Sequence, residues 1–242
     1  MRQTRLFLAT GAALILLFSS GCSEKLARQP GLTDTDLFAR GQRQAERKNY
    51  GAASEAFQLL LERFPTSPLA ARAQFGLASS RMANKQAIEA EAAFDDFLRL
   101  YPADPKVPDV LLLKGDLLYR QVLKPERDQG KTRDAIKAYT LFLEREPGSA
   151  RAREVSGKIR DLRNRLALHE AAVATHFLAR KQYDSAEARA RRAAAEYPDV
   201  PATPELLSLL ARSLEKQGKR DEAEALRKSL AEKYPGHGGK KR

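Results

Sequence analysis

Tryptophan is absent from the 242 residues, cysteine occurs once and histidine three times. No alternating apolar–polar run enriched in β-branched residues occurs, so a β-sheet has no support in the sequence. The lone cysteine, Cys22, has no partner in the chain, which excludes an intrachain disulfide. Catalytic patterns are missing as well. His169 and His176 are seven positions apart and could share a helix face, but no cysteine cluster, close histidine pair or HExxH accompanies them. Zinc needs three or four converging ligands, so these read as surface or interface histidines. No Ser/His/Asp order and no Gly-x-Ser-x-Gly elbow occurs. Gly130-Lys131-Thr132 looks like the end of a phosphate loop, yet Pro125 stands where that loop needs a glycine, and no strand leads in. Asp95 and Asp96 are adjacent, so on a helix they point apart and cannot share acid–base work. The chain reads as a non-enzyme with no metal and no cofactor.

The longest apolar run, Leu6–Phe18, is 13 residues, short of the ~20 that span a bilayer. It follows Arg2 and Arg5 and precedes Ser19-Ser20-Gly21-Cys22, the build of a secretory signal. Cysteine directly after Gly21 resembles the bacterial lipobox, in which the cysteine is acylated and becomes the new N-terminus. Ser19 departs from that pattern, where an aliphatic is usual. Ser23 is not aspartate, which by resemblance to lipoprotein sorting implies retention at the outer membrane, facing the periplasm. Residues 1–21 then form the signal and 22–32 a polar, lipidated tether containing Pro30-Gly31. Losing 1–21 lowers the formal charge from +12 to +10. A basic balance fits nucleic acid in a cytosolic protein; with an export signal that substrate is lost, and no nucleic-acid partner is expected. Most charges alternate in sign on outer helix faces. The exception is 180–192, where Arg180, Lys181, Arg189, Arg191 and Arg192 are set against only Asp184 and Glu187. Such an excess on a scaffold points to an acidic partner surface.

What remains is periodic. Leu37–Lys48 reads as an amphipathic helix, with a turn at Asn49–Gly51 and a second helix carrying Ala53, Phe57 and Leu60 to Pro65. Gly41, Tyr50, Ala53, Phe57, Leu60 and Pro65 have the spacing of a tetratricopeptide repeat. One such pair cannot bury its own apolar face, so copies must follow. Closing prolines recur at 65, 102, 147, 198 and 235, separated by 37, 45, 51 and 37 residues, and the longer gaps locate two insertions. Ser67 and Ser149 read as helix N-caps, and a separate apolar-periodic segment is expected from about Ala150 to Leu168. The expected architecture is an all-α solenoid of five helix pairs over 33–235, with repeats at about 34–66, 71–103, 108–148, 171–199 and 204–236. A basic disordered tail, 236–242, closes the chain. The first helices of the early repeats would wall a groove for an extended or aromatic-ended peptide, with Phe38, Phe75 and Met82 inside it. Phe38 and Phe75 equally read as packing between helices.

The run Leu162-x-x-Arg165-Leu166-Ala167-x-x-Glu170-x-x-Val173-Ala174, continuing through Phe177, Arg180 and Tyr183, resembles the BamD-type (YfiO/ComL) outer-membrane assembly lipoproteins. Glu126-Arg127-Asp128-Gln129 and Phe97-Leu98-Arg99-Leu100-Tyr101-Pro102 do so too. A departure is His176-Phe177, where members often carry two tyrosines. The resemblance implies a non-catalytic lipoprotein subunit of the β-barrel assembly machinery. Its C-terminal repeats would dock on a POTRA domain of the barrel subunit, with Phe177, Arg180 and Arg189 as the docking residues. Its N-terminal repeats would offer a groove to unfolded outer-membrane proteins or other assembly lipoproteins. The alternative is a periplasmic repeat lipoprotein working with cell-wall or Tol–Pal machinery. Arg180 also reads as a complement to a helix C-terminus, and Arg189 as the partner of an acid on a neighbouring helix.

One acyl chain anchors only marginally, whereas two or more hold stably. Cys22→Ser is therefore expected to leave the repeats folded but shift the protein from the membrane to the soluble fraction. Unchanged membrane fractionation, with no partner present, contradicts the lipid assignment.

Overall fold

The computed structural model describes residues 31–237. The expected signal, Cys22, most of the tether and most of the basic tail lie outside them. Among the described residues there are ten helices and no strand, arranged as five antiparallel pairs. The pairs are α1 Asp34–Glu46 with α2 Tyr50–Arg63, α3 Ala70–Ala83 with α4 Ala87–Leu100, and α5 Val107–Tyr119 with α6 Gly130–Arg145. They continue with α7 Ala152–Ala179 and α8 Tyr183–Glu196, then α9 Thr203–Lys216 and α10 Arg220–Lys233. Each helix packs on the next, and the first helices of neighbouring pairs touch: α1 with α3, α3 with α5, α7 with α9. This is the all-α solenoid of five helix pairs that the periodicity implies.

Local chemistry starts and stops these helices. Thr33 Oγ1 accepts from the Asp36 N–H at 3.2 Å while the Asp36 carboxylate accepts from the Thr33 N–H at 3.0 Å, a reciprocal cap on α1. Pro108 and Pro204 sit in the first turns of α5 and α9, where a missing N–H costs nothing. Ser67 and Ser149 are not N-caps. Their hydroxyls accept from the N–H of Leu69 and Arg151, shaping the turn that leads into α3 and α7 rather than closing the helix itself. Four of the five turns within pairs share one geometry. Lys48, Lys85, Lys181 and Gly218 take positive φ, between 60° and 81°, and the following N–H reaches back to a carbonyl of the preceding helix.

The pairs approach closely where small residues meet an aromatic ring. Phe57 is 3% exposed, and its ring lies between two glycines of neighbouring helices. A Cβ on Gly41 would meet the ring at 2.5 Å and one on Gly76 at 2.7 Å. Gly115 meets the buried Tyr139 ring in the third pair in the same way, at 2.5 Å. Tyr139 also donates to Asp116 at 2.7 Å, and Lys158 reaches the same carboxylate at 2.6 Å.

The fourth pair corrects the reading of a segment ending near Leu168 ahead of a separate repeat. α7 is one helix of 28 residues, because no proline falls between Ala152 and Ala179 and its only glycine, Gly157, is tolerated inside the helix. Its first half closes one hydrophobic core, which runs from Leu37 to Leu162. Its second half opens another, from Leu166 to Ala223. The backbones of α5 and α7 do not touch. The loop 120–129 is tied to α7 at this junction: Arg165 donates to the Leu123 carbonyl at 2.7 Å and His169 Nδ1 to the Pro125 carbonyl at 2.6 Å. Gln129, 2% exposed, holds the loop from inside through the carbonyls of Lys124 and Arg127 at 2.9 and 3.0 Å.

Two glycine substitutions separate packing from helix propensity. Gly76→Ala drives a methyl into a ring pinned on its other face, so a loss of about 1–3 kcal/mol is expected. Gly157→Ala meets nothing within 4 Å and should gain about 0.5–1 kcal/mol. Urea unfolding of both variants measures the difference; a Gly76→Ala variant as stable as the parent would disprove the packing assignment.

Candidate docking surfaces

Two surfaces carry the features of a scaffold. The first is built by α7 and α8. Glu170, Val173, Phe177 and Arg180 follow at spacings of three, four and three, which places them on one stripe of α7. Phe177 is half-buried and stands edge-on to the exposed His176 ring, with centroids 6.4 Å apart. Arg180 caps the C-terminal end of α7, is exposed, and has no side-chain partner among the described residues. Arg189, on α8, differs: its Nη1 donates to Glu170 Oε2 at 2.8 Å, and Arg192 lies 3.8 Å from the same oxygen. The Glu170 side chain is 15% exposed and that of Arg189 31%, so this pair is partly withdrawn from water.

Acids on neighbouring helices therefore correct the expected charge excess over 180–192. Glu170 is shared by Arg189 and Arg192, while Glu187 binds Arg191 at 2.8 Å and Lys219 at 2.9 Å. Glu222 lies 3.7 Å from Arg191. Among the five expected cations, Arg180 and Lys181 are the ones left without an acidic partner in the described residues. Glu187 joins α8, α9 and α10, since Gln217 also donates to it at 2.8 Å. The Lys219 ammonium, with Arg191 and Gln217, holds its carboxyl down to about 2 against the opposing effect of burial.

The second surface is a cleft of about 440 Å³ between the end of α1, the start of α2 and the second half of α3. It is lined by the exposed Gln42 and Glu46, the half-buried Tyr50 and Gly76, and the buried Phe57. The Ser79 hydroxyl, also lining it, is buried without a hydrogen-bond partner. None of the three expected groove residues lines this opening. Phe38 is 8% exposed, packs on Phe57 at 5.7 Å between centroids, and carries the Arg72 guanidinium 4.6 Å above its ring. It packs between helices. Phe75 is half-buried against Phe97, with the Lys106 ammonium 5.5 Å from its ring, and Met82 is half-buried against the same core. The cleft escaped sequence reasoning because its openness comes from Gly76 and Ser79, small residues that carry no signal of their own.

The remaining candidates are structural. Lys131 forms an ion pair with Glu91 at 2.6 Å, and the Gly130 N–H binds Asp128. His169 clamps the loop and His176 faces solvent, so the two do not converge. Among the described residues no His/Cys/Asp/Glu group could hold a metal ion, and no helix is long and apolar enough to cross a membrane.

The sequence profile of the YfiO family, described as outer membrane lipoprotein, matches residues 30–230. The outer membrane protein assembly factor BamD of Neisseria meningitidis serogroup A is 26% identical over 97% of this chain and 92% of that protein. BamD of Caulobacter vibrioides is also 26% identical, over 97% of this chain and 78% of that protein. A thermophilic TPR protein of Thermus thermophilus is 20% identical in structural alignment, covering 84% of this chain and 93% of that one, with a TM-score of 0.40. YrrB, a TPR protein with an unusual peptide-binding site, is 13% identical over 90% and 95%, with a TM-score of 0.38.

The Glu187 cluster sets a pH dependence. Its folded pKa, about 2, lies below the 4.5 of a free glutamate. The group's contribution is therefore present above that ordinary value and lost as pH falls toward 2. Thermal unfolding across this range should show Tm falling, with a smaller fall in Glu187→Gln; an identical profile in the variant would rule out the cluster as its source.

Proposed function

We propose, from the premise that this chain belongs to the YfiO family of outer membrane lipoproteins, that it is a non-catalytic scaffold subunit of the outer-membrane β-barrel assembly machinery. The observation that carries the reading is the family match across 30–230, nearly the whole repeat domain, alongside assembly factors 26% identical over 97% of the chain. Cys22 holds the protein at the outer membrane through acyl chains, with the repeats on the periplasmic side. The α7–α8 face docks on a POTRA domain of the barrel subunit. The N-terminal pairs receive unfolded barrel proteins or other assembly lipoproteins, with the Phe57 cleft as the natural seat for an aromatic or extended terminus and Phe75 and Met82 beside it.

The chemistry of docking differs along the face. Phe177 offers apolar contact beside a free cation, Arg180, which suits a partner presenting an acid next to an apolar patch. Arg180 is exposed, so its charge acts mainly on encounter. Arg189 already neutralises Glu170, and a partner carboxylate there extends an existing pair instead of meeting a bare charge. Removing Arg189 leaves Glu170 partly buried with only the more distant Arg192.

Binding to the purified POTRA region at two salt concentrations tests this. Arg180→Ala should slow association by an amount that vanishes at high salt. Arg189→Ala should cost about 2–5 kcal/mol, mostly through faster dissociation. If both variants bind like the parent and keep its Tm, the docking assignment is wrong.

A further inference from the structure

The two edges of the solenoid differ in charge. The connectors within pairs are residues 47–49, 84–86, 120–129, 180–182 and 217–219; because successive helices run antiparallel they fall on one edge of each stack, the last two offset from the first three along the long α7. They hold nine lysines and arginines against two acids, a net +7. The connectors between pairs, 64–69, 101–106, 146–151 and 197–202, hold two against three, a net −1. All nine basic residues of the first edge are exposed, and only Lys219, with Glu187, is in an ion pair among the described residues. Three of them, Lys48, Lys85 and Lys181, sit at positive φ, where glycine is the unstrained choice and where Gly218 stands in the fifth pair.

Apolar side chains reach the same edge. Ile88, in the first turn of α4 beside Lys85, is 81% exposed, and Leu123, beside Lys124, is 48% exposed. They are two of the four large apolar residues that stand out in water among the described residues. Cations on flexible stems around isolated aliphatics match a bilayer interface, in which headgroups take the charge and the boundary takes the methyl groups. A protein partner would instead call for a packed, desolvated apolar centre, whereas Ile88 and Leu123 stand open to water.

We infer that this basic edge, above all the connectors of the first three pairs, lies against anionic phospholipid headgroups. The inference rests on the lipoprotein reading, because the acyl tether supplies the proximity. The tether joins α1 at the opposite edge, but its reach is sufficient. Eleven residues from Cys22 to Thr33 extend at most ~36–40 Å, whereas a 13-residue helix is about 20 Å long. The tether therefore leaves the orientation open, and the charge selects it.

The test uses the full acylated chain reconstituted in phosphatidylcholine vesicles with or without roughly one third phosphatidylglycerol, with lysine acetylation as the footprint. Lys48, Lys85 and Lys124 should be protected about threefold or more on the anionic vesicles alone, and protection should vanish near 1 M salt, where the Debye length is about 3 Å. Lys106, on the other edge, should react equally on both. Ile88→Asp with Leu123→Asp, at exposed positions, should keep the circular dichroism of the parent and lose most of the protection. A chain that stays on both vesicles with all lysines equally reactive overturns the inference and leaves the lipoprotein reading intact. A chain that leaves the vesicles overturns both. Protection that needs an added POTRA protein and not anionic lipid also overturns it, marking the edge as a protein contact.

Discussion

Close approach of helices through glycine and alanine is the constraint on which this molecule depends. The Phe57 ring fills the space between Gly41 and Gly76, so one aromatic fastens two consecutive pairs, and neither glycine can gain a methyl without moving it. No disulfide is available within the chain to replace such a contact. Stability in a repeat array passes between neighbours, so each pair is held by the next. The fourth pair solves the same problem differently. The buried positions of α8 are all alanine, at 186, 190 and 193, which brings backbones close but buries little apolar surface per residue. Carboxylates add directional ties there. Glu170 joins α7 to α8, and Glu187 joins α8 to α9 and α10. The pair that carries the proposed docking face thus adds charge ties where its apolar burial is small.

The junction between the third and fourth pairs connects these two regimes. α5 and α7 lack backbone contact, and the loop 120–129 together with Asp116 bridges the interval. Two of the sequence runs that resemble the assembly lipoproteins come together there: Arg165 and His169 in one hold the carbonyls of Leu123 and Pro125, just ahead of the other. Because α7 runs through both cores, a displacement at Glu170 or Phe177 acts on the helix whose other half closes the N-terminal core.

Much of the fold was legible because its determinants are local. Prolines end helices, aromatics precede them, and Gly41 marks a crossing, so five pairs could be counted from spacing alone. The errors came from interactions distant in sequence or from signals that were missing. Nothing breaks the helix between Ala152 and Ala179, and a repeat template placed a boundary there that the residues do not contain. Glu170 lies 19 residues from Arg189, and Glu222, near Arg191, lies outside the segment as well, so the apparent charge excess over 180–192 ignored the acids that satisfy it. Phe38 was a candidate for groove or core on periodicity; the decisive contact, Arg72 over its outer face, joins residues 34 apart.

Where the charge sits is not a by-product of its amount. Helix faces hold cations and acids in alternation, and ion pairs such as Lys131 with Glu91 and Arg163 with Asp199 neutralise them locally. The connectors within pairs escape this pairing, apart from Lys219 with Glu187. Their shared geometry asks for a left-handed residue, and lysine in that conformation is less stable than glycine by about 1 kcal/mol. Turn formation alone favours glycine at all four such sites, as at Gly218, yet Lys48, Lys85 and Lys181 keep a side chain that makes no ion pair among the described residues. Strain held where no internal contact compensates it points outward, to a contact made by the charge itself. The same turns that reverse the chain therefore set a row of cations along one edge, and fold and surface potential arise from one repeated element.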